Sequence, residues 1–274
     1  MKARVLIFVL IAVGGLILGK PVYAEDINIK FSTGADYSKG DYGRTQDTEI
    51  LYSSLATKVS YGSWSAKVTV PYLHIKGSAA VLGGGDTVIV CDDNSGPGKG
   101  GGCPAVDPNA VVTREGLGDI IGGLTYTIDL KDYGLYLDFT GKIKLPTADE
   151  DKGLGTGETD YTIQVDATKM FGSAYIFGGV GRRFIGESAQ FQLNDIWLLN
   201  VGGGYQVNKK MGVGVAYDFR EAASTAEDPS EASAYLTYKF SDSMTTMLYG
   251  VVGFSNGSPD ASVGLQLSYK FDLF

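Results

Sequence analysis

The stretch LYLDFTGKIKL, Leu135–Leu145, decides what kind of molecule this is. Leu135, Leu137, Phe139, Gly141, Ile143 and Leu145 alternate with Tyr136, Asp138, Thr140, Lys142 and Lys144. A period of two belongs to a β-strand with one apolar and one polar face. The apolar face fits a packed core or a lipid exterior equally well, so the charges have to choose. Lys30, Lys58, Lys67, Asp138, Lys142, Lys144, Asp166 and Asp218 all fall on polar faces within such alternating stretches, too many for the dry interior of a soluble sandwich. On a lipid-facing side each lysine near the midplane costs about 2–4 kcal/mol. The polar faces therefore line a wet lumen and the apolar faces meet lipid.

The same rhythm recurs along the chain, with almost nothing of the 3.6-residue helical period. Alternating segments occupy 26–36, 48–61, 64–76, 117–129, 134–146, 159–170, 173–185, 194–207, 210–220, 231–241, 243–255 and 260–271. Each is near the roughly 10-residue length of a tilted membrane strand. After every even segment the link is tight: Gly62-Ser63, 130–133, Phe171-Gly172, Asn208-Lys209, Asp242. After odd segments it is longer and polar, at 37–47, 77–116, 147–158, 186–193, 221–230 and 256–259. Short and long loops sorted to opposite rims predict an all-β fold: a transmembrane antiparallel up-and-down β-barrel of about 12 strands. A Greek-key sandwich has no reason to sort its loops in this way.

The chain begins with Lys2 and Arg4, an apolar run over residues 5–18 and the small-x-small pattern Val22-Tyr23-Ala24. The run is shorter than the roughly 20 residues of a spanning helix, so residues 1–24 read as a cleaved signal peptide and 25–274 as the barrel. The last segment carries Gly264, Leu265, Leu267, Tyr269 and Phe271, with Phe274 as the final residue. This resembles the closing strand of outer-membrane barrels, and the resemblance implies an assembly signal in Gly264, Leu267, Tyr269, Phe271 and Phe274.

A net charge of −8 with 23 Lys+Arg against 31 Asp+Glu argues against nucleic acid as a partner. Cys91 and Cys103 in an exported chain most simply form one disulfide in the glycine-rich loop 77–116. Zinc is the alternative, but His74, the sole histidine, completes no ligand set. His74 also has no evident nucleophile or acid around it, which leaves catalysis without support. Neither a metal nor another cofactor is expected. Tyr52, Tyr61, Tyr72, Tyr133, Phe171, Phe184, Tyr205 and Phe240 sit near segment ends and predict interfacial girdles.

The densest motifs lie between the fourth and seventh segments: GLGDI from Gly116, GKIKLPTADEDKGLGTGETDY from Gly141, and YIFGGVGRR from Tyr175. They resemble the outer-membrane barrel family named for a MetA-pathway of phenol degradation. The resemblance is close over about 116–183 and extends through the strand rhythm. It implies a channel-like barrel, tied in some members to uptake of aromatic or other apolar small molecules. Two departures stand out: Thr147-Ala148-Asp149 where the family has Thr-Gly-Asp after Leu-Pro, and the insertion 77–113.

Asp119, Lys142, Lys144 and Asp160 take polar-face positions on three successive segments, so they are expected to approach one another, as a selectivity constriction or as ion pairs holding loop 147–158 inward. Asp138, Asp166 and Arg183 complete the pore candidates. The leading expectation is a channel for passive passage of small solutes across a Gram-negative outer membrane. The alternative is a plugged structural or adhesive barrel displaying the Cys91–Cys103 loop. The partners implied are outer-membrane lipid, lipopolysaccharide above the acidic run 149–151, the barrel assembly machinery and the solute.

Overall fold

The computed structural model describes residues 27–83, 88–91, 110–187, 193–224 and 226–273. The expectations for residues 1–24, Cys103 and Phe274 fall outside them. Among the described residues fifteen strands are present: β1 (Ile27–Gly40), β2 (Thr48–Tyr61), β3 (Trp64–Ser78), β4 (Val81–Gly83), β5 (Val88–Val90), β6 (Val111–Leu117), β7 (Ile120–Leu130), β8 (Leu135–Leu145), β9 (Asp160–Phe171), β10 (Ala174–Phe184), β11 (Ile196–Gln206), β12 (Met211–Arg220), β13 (Ser230–Lys239), β14 (Met244–Gly253) and β15 (Ala261–Leu273). β6 and β7 both pair with β3 and form two halves of one stave. Every neighbour is antiparallel, and β1 pairs with β15 from Ile27↔Leu273 to Lys39↔Ala261, so twelve staves close a ring. Closure pairs each stave of the ring with a neighbour on both sides, as lipid requires.

The break between β6 and β7 has a local cause. Pro71 lies on β3 between Tyr72, which pairs with Leu117, and Thr69, which pairs with Ile121. Proline offers no ladder N–H, and the facing chain bulges there. Gly118 N still donates to Pro71 O at 3.0 Å, and the bulge turns Asp119 inward, where it is fully buried.

Register assigns the faces. Outward positions carry Leu55, Ile163, Val201, Val215 and Leu265, each more than half exposed, a belt that only lipid can cover without cost. Tyr61, Trp64, Tyr133, Phe171, Tyr205 and Phe240 ring the end with short turns; Tyr72, Phe184 and Trp197 ring the end with long loops. Tyr52 corrects the girdle expectation. It stands opposite Leu73 and Asp36 on inward positions and packs against the buried cluster inside the barrel. The first strand runs to Gly40 rather than 36, because its polar second half is laddered to both β2 and β15. The expected loop 77–116 holds β6 and a small hairpin, β4–β5.

Candidate functional site: the capped lumen

The β4–β5 hairpin lies across the loop end of the barrel. Val81 pairs with Val90 and Leu82 with Ile89, so the pairs point to opposite sides. Val81 and Val90 pack with Tyr42, Ile50, Leu73, Ile75 and Leu154, on the β2–β3 side. Leu82, Ile89 and Cys91 pack with Leu193, Ile185 and Ala223, from the loops that follow β10 and β12. A hairpin with one face on each wall has to span the mouth. Tyr42 is 3% exposed, and burial pushes its phenol up to about 12.

Polar ties hold the hairpin in place. The Arg114 guanidinium donates to Ser78 O at 3.2 Å and to Val81 O, Arg44 to Cys91 O, and the Ser224 hydroxyl to Val90 O. Gly83 N donates to Gly153 O at 3.0 Å, joining the hairpin to loop 146–159. These bonds satisfy carbonyls that the short two-stranded ladder leaves over.

Loop 146–159 is itself pinned from below. Asp119 Oδ1 accepts from Thr147 N at 3.1 Å and Ala148 N at 3.0 Å. Lys144 Nζ lies 3.3 Å from Asp119 Oδ2 and 3.1 Å from Asp160 Oδ2, and donates to Thr156 Oγ1 at 3.1 Å. Asp119 Oδ2 takes the ammonium charge without an aligned hydrogen bond. All three ionic side chains are buried, so the charges stabilise one another in a medium that screens them little. The Thr147 hydroxyl accepts from Ile120 N at 2.9 Å and donates to Gly118 O at 3.2 Å. The motifs GLGD and KLPT…GLGTGETD thus form one knot.

Lys142 does not join this knot. It donates to Gln164 Oε1 at 3.2 Å, Gln164 donates to Asp166 Oδ1 at 2.8 Å, and Asn200 to the same oxygen at 3.2 Å. Asp138 accepts from Thr127 at 2.5 Å. Arg183 is buried, faces Thr162 across β9 and β10, and lines with Asp160 a cavity of about 30 Å³ beneath β5. His74 lies on the outer face of β3, 3.0 Å from Glu115. Cys91 is buried.

The lumen wall from β10 to β15 carries a feature the sequence reading missed. Tyr175, Tyr235 and Tyr249 reach over Gly204, Gly214 and Gly264: a Cβ at those glycines would stand 2.4, 2.3 and 2.1 Å from the ring Cζ atoms. Phe177 covers Gly202 in the same way. The signal was present as inward glycines on one strand beside inward aromatics on the next, but it needs the register to be seen.

Comparison with known proteins agrees with the architecture. The COG4313 outer membrane channel from Pseudomonas putida F1 superposes with a TM-score of 0.61 at 11% identity, covering 92% of this chain and 97% of that one. The KdgM porin superposes with a TM-score of 0.50 at 9% identity, covering 88% and 99%. Among curated proteins none matches. Residues 30–271 match the family described as "Putative MetA-pathway of phenol degradation", and the chain belongs to that family.

Proposed function

We propose that the chain is an outer-membrane channel for passive passage of small solutes, apolar and aromatic ones included, with its loop end toward the cell exterior. The observation that carries this reading is a closed ring with an apolar outer belt whose inward positions hold Lys30, Lys58, Lys67, Lys142 and Asp166. Such a lumen is wet, and a wet lumen through lipid conducts small molecules unless it is sealed. Among the described residues no nucleophile is set beside a base, and passage is the activity proposed. In this reading residues 1–24 are removed on export, the barrel assembly machinery takes up the β15 signal, and the acidic run 149–151 meets lipopolysaccharide. Cys91 and Cys103 form a disulfide that closes the segment beyond the hairpin; alkylation of the unreduced protein should then leave both thiols unlabelled.

The filled mouth favours a second reading, a plugged structural or adhesive barrel with the Cys91–Cys103 loop as its display segment. Liposome swelling separates the two. Vesicles containing the full chain should swell in small isotonic solutes faster than protein-free vesicles, and equal rates would support the plugged barrel.

A further inference from the structure

One strand carries a free edge. β6 pairs with β3 from Tyr72↔Leu117 to Ser78↔Val111, whereas β7, its continuation, is flanked by both β3 and β8. β8 stops at Leu145, opposite Ile120, and the chain turns inward there, with Thr147 bonded to Asp119 and Gly118. Among the described residues no strand stands beside β6 where β8 stands beside β7. Ala79 N donates to Ala110 O at 2.9 Å and Gly118 N to Pro71 O at 3.0 Å. Antiparallel bonding alternates, so Val112, Arg114 and Gly116 turn their main-chain groups to β3. Those of Val111, Thr113, Glu115 and Leu117 point away from it, and no main-chain bond reaches them from the described residues.

This edge lies outside the lipid. β3 continues from Tyr72, in the loop-end girdle, to Ser78, and at a tilt of about 40° that length lifts the far end of β6 by about 15 Å. An unpaired edge in water is a template for another strand, and it is ordinarily blunted by lysine, proline or a bulge. Val111–Leu117 has none of these, and Val111 and Leu117 are 53% and 57% exposed.

A second copy in the same membrane does not fit the edge. Two such copies are related by an axis along the membrane normal, so their β6 strands would cross at about 80°, twice the tilt. Neighbours in a ladder differ by only about 20–25°. A peptide arriving from outside has no such constraint, and the charges around the edge select its kind. On the outer face Glu115 is exposed, with His74 at 3.0 Å. On the inner side Leu154 lies against Gly116 and Gly153 against the Arg114 guanidinium, which is turned to Ser78 O and Val81 O of the cap. Gly153 N donates to Glu150 O at 2.8 Å and Leu154 N to Asp149 O at 3.1 Å. That turn brings Asp149, Glu150 and Asp151, all exposed, beside β6, with Lys152 3.8 Å from Asp149.

We infer that the β6 edge takes a basic, extended peptide as an added strand. Main-chain groups of Thr113 and Glu115 hold its backbone, and its lysines or arginines meet Glu115 on the outer face and residues 149–151 on the inner. The inference does not depend on whether the lumen conducts.

The test is binding of the labelled peptide acetyl-VKKVKKV-amide to the full chain in detergent, read by fluorescence anisotropy, with folding checked by circular dichroism. The same peptide N-methylated at its fourth and fifth residues keeps its charge and loses one N–H on either edge. It should bind at least about tenfold more weakly, as should the parent peptide to Thr113→Pro, which removes an N–H that β3 does not use. Thr113→Ala should bind as wild type does. Glutamate in place of the lysines should abolish binding, and Glu115→Gln should weaken it about threefold. No binding, or equal binding of the N-methylated peptide or by Thr113→Pro, would overturn strand addition. Equal binding of the glutamate peptide would overturn the basic partner. Binding only after residues 92–109 are replaced by a short link would assign the edge to this chain itself and overturn the inference.

Discussion

Lys144 is the side chain on which the outer half of the lumen depends, because it holds two buried carboxylates and the loop above them. Lys144→Met leaves Asp119 and Asp160 without their shared cation. Breaking a buried pair in this way costs about 3–5 kcal/mol, enough to release loop 146–159. Limited proteolysis should cut the variant within that loop at a rate at least tenfold above wild type, and an unchanged rate would deny Lys144 its anchoring role. Tyr42 gives a pH dependence of definite sign. Its raised pKa means that the cap stability due to the neutral phenol is complete below the ordinary value of 10.0 and is lost as pH rises through about 12. Cap opening between those values should vanish in Tyr42→Phe. Alternation alone put Lys142 and Lys144 on one face, but it did not separate their partners, since Thr156 reaches Lys144 only because a loop folds back. Tyr52 was legible in retrospect: Leu51 and Leu55 are outward, so parity sends Tyr52 inward despite its aromatic character.

At the scale of elements, strand existence was written in the period-two pattern and in the contrast between tight and long links. The hairpin was not. VLG and VIV are too short to show alternation, and their burial comes from Ile50, Leu73, Leu154 and Leu193, residues distant in sequence. The bulge at Gly118-Asp119 was hinted at by Pro71 and needed the β3 register to be placed. β15 is the element that closes the ring, with Phe31 and Phe271 in edge-to-face contact at 5.7 Å and Lys39 still paired to Ala261. Removing residues 269–274 strips the turn end of β1 of its partner, so the truncated chain should fail to accumulate in outer-membrane fractions. Normal levels there would contradict the assembly role given to this strand.

For the molecule as a whole, the count of about 12 strands was legible because each strand spans the same thickness and each rim has its own loop length. The stagger was not legible, and with it went which inward side chains share a level of the lumen. The cap likewise belongs to this scale, since it leans on loops following four different strands, β1, β8, β10 and β12. The most direct test is single-channel recording from the purified full chain beside a variant in which residues 79–110 are replaced by a short glycine-serine link. A wet barrel capped by β4–β5 predicts small or intermittent steps from the wild type and steps several-fold larger from the variant. Silence from both proteins, each shown to be inserted and folded, would contradict it.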